Sequence, residues 1–206
     1  MDPIKLTRRL VDIESITANE GAVGAELYEE LVRLGYATHK MPVAHERFNV
    51  VATLDDVPPQ IVFSTHMDTV PPFIPSSEDH ENIYGRGSCD AKGIIAAQVA
   101  ACQRLRKEGA AVGMLFVVGE ERDAIGAKTA NQNPLPSRFL INGEPTENKI
   151  AIASKGSLRV RLTAHGRMAH SAYPELGESA IEKLLTALER LRVIELPHNP
   201  EVGPCT

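Results

Sequence analysis

Tryptophan is absent from this sequence of 206 residues, and aromatic residues make up only 4% of it. Stacking on nucleic-acid bases or on proline-rich ligands is therefore a poor use for its surface. Cysteine is scarce as well. Cys89, Cys102 and Cys205 are odd in number, far apart and in no Cys-x-x-Cys pair. That excludes a disulfide framework and a thiolate zinc site, and it points to a reducing cytoplasm. No apolar run approaches the ~18 residues of a membrane span. The charged opening Met1-Asp2-Pro3-Ile4-Lys5 also lacks the apolar stretch of a secretory signal. Basic blocks are missing, and 22 Lys+Arg against 27 Asp+Glu leave a net charge of −5. Neither nucleic acid nor a membrane is an expected partner. Gly (15) and Pro (14) are too few for a collagen-like or low-complexity chain.

What remains is an ordinary globular composition, with 43% hydrophobic and 24% charged residues. Asp2-Pro3 is a good helix start, followed by Ile4, Leu6, Leu10, Val11 and Ile13 at rough helical spacing. A second helix is expected from near Asn19, with Val23, Leu27, Leu31 and Leu34 as its apolar stripe and Gly35 closing it. Thr38–Val43 and Phe48–Leu54 read as strands. A pattern then repeats. Gln60–Thr65 is an apolar strand ending at His66, and Lys92–Lys107 a helix. Met114–Val118 is a strand ending at Gly119-Glu120-Glu121, and a shorter helix covers Ile125–Asn131. Arg138–Ile141 is a strand ending at Asn142-Gly143-Glu144. Continuous apolar strands separated by helices predict a sheet covered on both faces, hence an α/β fold.

After Lys155-Gly156 the pattern changes. Leu158, Val160, Leu162 and Ala164 alternate with Ser157, Arg159, Arg161 and Thr163, the period of a strand with one wet face. A helix over Glu178–Leu191 follows, with Ile181, Leu184, Leu185, Leu188 and Leu191 on one side. This predicts a domain over residues 1–153 and the start of a second over residues 154–206.

The chemistry is positional. Each apolar strand ends in cation-binding side chains: His66 with Asp68, Glu120 with Glu121, and Glu144. In open α/β sheets ligands bind beyond the carboxyl ends of the strands, so these groups converge on one rim. Asp90, in Gly85-Arg86-Gly87-Ser88-Cys89-Asp90-Ala91-Lys92-Gly93, sits just before a helix. Five carboxylates in one cleft repel one another unless a divalent metal compensates them. Each residue also has a plainer reading. Asp90 alone is a helix cap, Glu120-Glu121 a solvated helix start, Glu144-Pro145 a turn, and His66 a satisfied loop histidine. Their occurrence in series, each at the end of a buried segment, favours the metal.

Ser64-Thr65-His66-Met67-Asp68-Thr69-Val70-Pro71, Gly85–Gly93, Gly119-Glu120-Glu121 and Asn142-Gly143-Glu144-Pro145-Thr146 resemble the dizinc aminoacylase and carboxypeptidase family. That family includes acetylornithine deacetylase, succinyl-diaminopimelate desuccinylase, carboxypeptidase G and tripeptidase-like enzymes. The resemblance implies a three-layer αβα catalytic domain of the zinc-exopeptidase type, followed by a partial ferredoxin-like lid. It implies two divalent ions, zinc foremost, with cobalt or manganese as substitutes. His66 and Glu144 would bind one ion, Glu121 the other, and Asp90 would bridge them, with a cis peptide bond after Asp90. Asp68 would orient the His66 imidazole, and Glu120 would be the general base for a water activated by the metals. Gly166-Arg167-Met168-Ala169-His170-Ser171-Ala172 resembles the lid motif, which makes His170 an oxyanion donor reaching across a homodimer. The implied substrates are N-acyl amino acids or short peptides, cleaved at the amide bond.

Members of that family are longer and bring a second histidine to the metal that Glu121 binds, and nothing here matches it. The chain is accordingly expected to be a fragment that stops within the lid. The alternative to a hydrolase is a catalytically incomplete metal-binding or dimerisation remnant. A nucleotide-binding protein fails on spacing, because neither GxGxxG nor GxxxxGK[ST] occurs near Gly85.

Overall fold

Asp2 accepts hydrogen bonds from the N–H groups of Ile4 (2.9 Å) and Lys5 (3.3 Å) and so starts helix α1, Pro3–Val11. The computed structural model describes residues 1–54 and 57–204. The chain forms two compact units, Met1–Asn148 and Lys149–Thr206, of which Cys205 and Thr206 lie outside the described residues.

In the first unit, α1 is followed by α2 (Gly21–Arg33), then by β1 (Ala37–Ala44) and β2 (Arg47–Thr53). Strand β3 (Ile61–His66) precedes a short hairpin of β4 (Ser77–Glu78) and β5 (Ile83–Tyr84), which carries no apolar pattern in the sequence. Helix α3 (Lys92–Lys107), strand β6 (Val112–Val117), helix α4 (Ile125–Gln132) and strand β7 (Phe139–Asn142) complete the unit. The sheet order is β1-β2-β6-β3-β7. Strand β2 pairs antiparallel with β1 and β6, whereas β3 runs parallel to both β6 and β7. The sheet is therefore mixed, with a parallel half that brings the carboxyl ends of β3, β6 and β7 to one rim.

The core joins Leu6 and Leu10 of α1, Val23, Leu27 and Leu31 of α2, and Ile95 and Val99 of α3 to Val50, Ala52, Met114 and Phe116 of the sheet. These apolar positions recur every four residues in the helices, which is why each helix buries one stripe. Gly35 closes α2 with φ +78°, a conformation that glycine adopts without strain.

Two sequence expectations are corrected. Strand β7 is not a buried strand: Phe139 is 57% exposed and Leu140 61%. It is an edge strand, hydrogen-bonded only to β3 among the described residues. The alternating segment 157–164 forms no strand, and Leu158 is 89% exposed. Alternation makes a strand only when a neighbour pairs with it, and no described strand does so there.

The second unit holds a 3-10 turn at Pro174–Leu176, helix α5 (Ala180–Arg192), and a hairpin of β8 (His198–Asn199) and β9 (Gly203–Pro204). Ser179 caps α5 by accepting from Glu182 N–H at 3.2 Å. Its stripe of Ile181, Leu185, Leu188 and Leu191 is exposed, and among the described residues the only sheet of this unit is the two-stranded β8–β9 hairpin.

Candidate metal centre

His66 is the last residue of β3, in register with Val117 of β6. Its ring is buried, and both nitrogens are engaged. Nε2 lies 2.8 Å from Asp90 Oδ1 and 3.9 Å from Glu144 Oε2. Nδ1 lies 2.9 Å from the backbone carbonyl of Asp68 and 3.5 Å from its Oδ1. The nearest partner of Nδ1 is thus the Asp68 carbonyl rather than its carboxylate. Single ligand atoms of His66, Asp90 and Glu144 lie within 4.8 Å of one another, as do those of His66, Glu120 and Glu121.

The carboxylate of Asp68, fully buried, serves the neighbouring loop. It accepts from Thr17 Oγ1 (2.8 Å), Glu120 N–H (3.0 Å) and Glu121 N–H (3.2 Å). Burial alone would raise its pKa, but the bonds from His66, Thr17 and Glu120 outweigh burial and hold it below the usual carboxylate range. Asp68 therefore stays charged.

Each remaining acid has its own local support. Glu144 follows Gly143, whose N–H donates to the Ser64 carbonyl (2.8 Å) and whose carbonyl accepts from Thr65 Oγ1 (2.7 Å). Gln98 Nε2 bonds to the same Ser64 carbonyl at 2.9 Å, and a Cβ on Gly143 would stand 2.5 Å from that nitrogen. Asp90 precedes a cis peptide bond to Ala91. It is not the helix cap: Ala91 occupies that position in α3, with no side-chain capping bond. The turn is held by Lys92 N–H to the Gly87 carbonyl at 2.8 Å. Lys92 Nζ, buried, donates to the Ile13 carbonyl at 2.6 Å. Burial brings that ammonium down to about 8, against the opposing pull of Asp12 and Glu14. Glu120 and Glu121 lie in a loop, since α4 begins only at Ile125.

The electrostatics describe acids gathered without sufficient positive charge. Burial would lower the His66 pKa, but Asp68, Asp90 and Glu144 overcome it and lift the ring to about 9. Burial, then the charge of Asp90, raises Glu121, with His66 opposing. Burial, then Glu120, raises Glu144, again with His66 opposing. The side chains of Asp90 (48%) and Glu144 (36%) reach solvent, so an ion has access. A buried imidazole facing several crowded carboxylates is a donor set that fits a borderline divalent cation such as zinc, cobalt or manganese.

His170 belongs to the second unit and is exposed. Its Nδ1 accepts from Ala172 N–H at 3.1 Å, which leaves the proton on Nε2. Its ring stands 6.2 Å from that of Tyr173.

Sequence reasoning missed Thr17, Glu20, Arg47, Asn49, Lys92 and Gln98 as supports of the site. One usable signal was Asn49, an amide between the apolar residues Phe48 and Val50 of a strand.

A family model for "Peptidase family M20/M25/M40" matches residues 62–205. A probable carboxypeptidase of Aspergillus fumigatus is 45% identical over 215 residues, covering 89% of this chain and 49% of that protein. A peptidase M20 domain-containing protein of Schizosaccharomyces pombe is 42% identical, covering 98% of this chain and 53% of that one. The chain spans about half the length of the curated relatives it matches. Among solved structures, a tripeptidase from Staphylococcus aureus superposes with a TM-score of 0.69 at 24% identity, over 91% of this chain and 55% of that one. Aminopeptidase PepT from Bacillus cereus gives 0.64 at 22%, over 96% and 57%. At these identities the likeness is one of fold, and it extends to the mixed sheet and its helices. With the sequence match spanning most of its length, this chain belongs to peptidase family M20/M25/M40.

Proposed function

We propose that the chain carries the metal-binding part of a hydrolase that cleaves the amide bond of N-acyl amino acids or short peptides. The observation that carries this reading is His66 Nε2, turned to Asp90 at 2.8 Å and Glu144 at 3.9 Å, with Glu120 and Glu121 gathered around the same ring. Two divalent cations, zinc foremost, would supply the charge that polarises the scissile carbonyl and makes a water acidic near neutral pH. His66 and Glu144 would hold one ion and Glu121 the other, with Asp90 available to both. Asp68 keeps the His66 ring in place through its carbonyl and keeps Glu120 and Glu121 in place through its carboxylate.

Glu120 accepts the proton of the attacking water and returns it to the leaving amine. Its main chain is fixed by Asp68 while its side chain reaches solvent, which suits a group that must gain and lose a proton. His170, with its proton on Nε2, donates to the oxyanion in the full-length homodimer. The names of the Aspergillus fumigatus and Staphylococcus aureus proteins, a carboxypeptidase and a tripeptidase, support a peptide or peptide-like substrate. A cytoplasmic location agrees with the free thiols of Cys89 and Cys102.

Zinc titration of the chain followed by calorimetry tests the centre: binding lost in His66→Ala is expected, and no binding by the unaltered chain removes the reading. For the reaction, the full-length protein is assayed on N-acetyl amino acids and dipeptides. Glu120→Gln is expected to retain zinc and lose turnover by about 10²–10⁴-fold. Unchanged turnover takes the base role from Glu120.

A further inference from the structure

Asn49 is fully buried on β2, among apolar neighbours, and every polar atom of its side chain is used. Oδ1 accepts from the backbone N–H of Val118 at 3.2 Å. Nδ2 donates to the backbone carbonyl of Gly126 at 2.8 Å and also faces Met41 Sδ at 3.5 Å. Val118 and Gly126 are the two ends of the loop that holds Glu120 and Glu121, and they bond to each other through Gly126 N–H and the Val118 carbonyl at 3.0 Å. One amide thus ties both ends of the loop to the sheet. The space is closed to anything larger: a Cβ on Gly126 would meet Asn49 Oδ1 and Val118 O, each at 2.5 Å. From the same strand, Arg47 pairs with buried Glu20 at 2.8 Å, and its guanidinium lies where a Cβ on Gly119 would meet it at 2.8 Å.

We infer that Asn49 is a positioning residue for Glu120 and Glu121: it fixes the base of their loop from the sheet side, while Asp68 fixes the loop crest from the His66 side. The chemistry selects the amide. Val118 N–H takes Oδ1 as its acceptor, and the Gly126 carbonyl, in the first turn of α4, takes Nδ2–H as a side-chain donor, in one rigid plane. A carboxylate sets an oxygen against the Gly126 carbonyl, and an aliphatic group removes the acceptor of the Val118 N–H together with the tie to α4. The inference rests on the metal-centre reading for its functional consequence, but not for its geometry.

Two measurements on the 206-residue chain test it, with Asn49→Leu as the first variant and Asn49→Ser as the milder one should the leucine fail to fold. The first is amide hydrogen exchange without metal. Exchange at Glu120 and Glu121 is expected to quicken by about tenfold or more relative to Thr65 and Phe116, which lie inside β3 and β6. An equal change at all four amides means a purely structural role and overturns the inference. The second is cobalt(II) titration, read by calorimetry and by the visible absorption of the bound ion. The variant is expected to bind cobalt about tenfold more weakly and with an altered visible spectrum. Identical affinity and spectrum also overturn it. If the unaltered chain binds no cobalt, the metal-centre reading fails, and the exchange measurement alone still decides the part played by Asn49.

Discussion

The carboxylate of Asp68 accepts the backbone N–H of Glu120 at 3.0 Å, although the two residues belong to different strand ends. Through this bond, and its companion to Glu121 N–H at 3.2 Å, the segment that follows β3 sets the position of the loop that follows β6. Asp68→Asn keeps the size but turns an NH2 group toward one of the three donors. A buried donor left unpaired costs about 1–3 kcal/mol. Urea unfolding of Asp68→Asn is expected to fall by that amount, and zinc affinity by about tenfold. Retention of both would show that the loop is held by other contacts.

Glu30 offers a test far from the centre. It is buried on α2 and meets Arg9 and Arg33. Burial works against its charge, but the bonds from Arg33 and Arg9 prevail and its pKa is lowered. A carboxylate of lowered pKa adds stability above its unfolded value of 4.5 and loses it as the pH falls through the folded value. Both arginines reach solvent, so the contribution is modest. Glu30→Gln is expected to be less stable than the unaltered chain at pH 7 and equal to it in strong acid. A difference that stays constant across that range would exclude the ion pairs as its source.

Cys102 and Cys89 should separate cleanly. Cys102 is buried on α3 and its thiol is pushed up to about 12 by burial, while Cys89 is exposed. In a Cys205→Ser background at pH 8, a thiol reagent is expected to label Cys89 at once and Cys102 only on unfolding. The raised value also has a stability consequence. The folded chain keeps this proton longer than the unfolded one, so the contribution is full below pH 9 and is lost as the pH rises toward 12. Cys102→Ala should flatten the stability curve over that window. Fast labelling of both thiols in the native chain would contradict the packing of α3.

Much of this was readable in the sequence, for physical reasons. The Lys92–Lys107 helix carries its burial pattern in its own spacing, and the structure gives the same bounds. His66, Glu120, Glu121 and Glu144 were visible because parallel strands deliver their carboxyl ends to one rim, so position along the chain stands in for position in space. The supports were not readable in this way. Asn49 meets Val118 and Gly126 from another strand, Thr17 meets Asp68, and Gln98 meets Ser64. Apart from the amide of Asn49 set between two apolar strand residues, none of these pairs leaves a local pattern. The exposed face of β7 and the unpaired segment 157–164 mark the opposite failure. There the local pattern is present, but no described neighbour covers it.

Gly93 gives a prediction in which two effects oppose each other and their sizes decide. It is the second residue of α3, and alanine in a helix is favoured over glycine by about 1 kcal/mol. On that ground Gly93→Ala would stabilise. A Cβ there, however, would stand 2.1 Å from the Ser88 carbonyl oxygen, a backbone atom in the turn that carries Asp90. That turn is already closed by bonds from Lys92 N–H (2.8 Å) and Gly93 N–H (3.4 Å) to the Gly87 carbonyl, so it has no slack along the chain. Overpacking against a fixed group costs about 1–3 kcal/mol or more, enough to outweigh the helix preference. Gly93→Ala is expected to lower the urea midpoint and to weaken zinc binding as Asp90 shifts away from His66. Gly109→Ala is the matched control: it has nothing within 4 Å, though its φ of +83° carries a strain cost of its own. It should lose some stability but leave zinc binding unchanged. A stabilised Gly93→Ala would mean that the turn yields, and with it the fixed placement of Asp90.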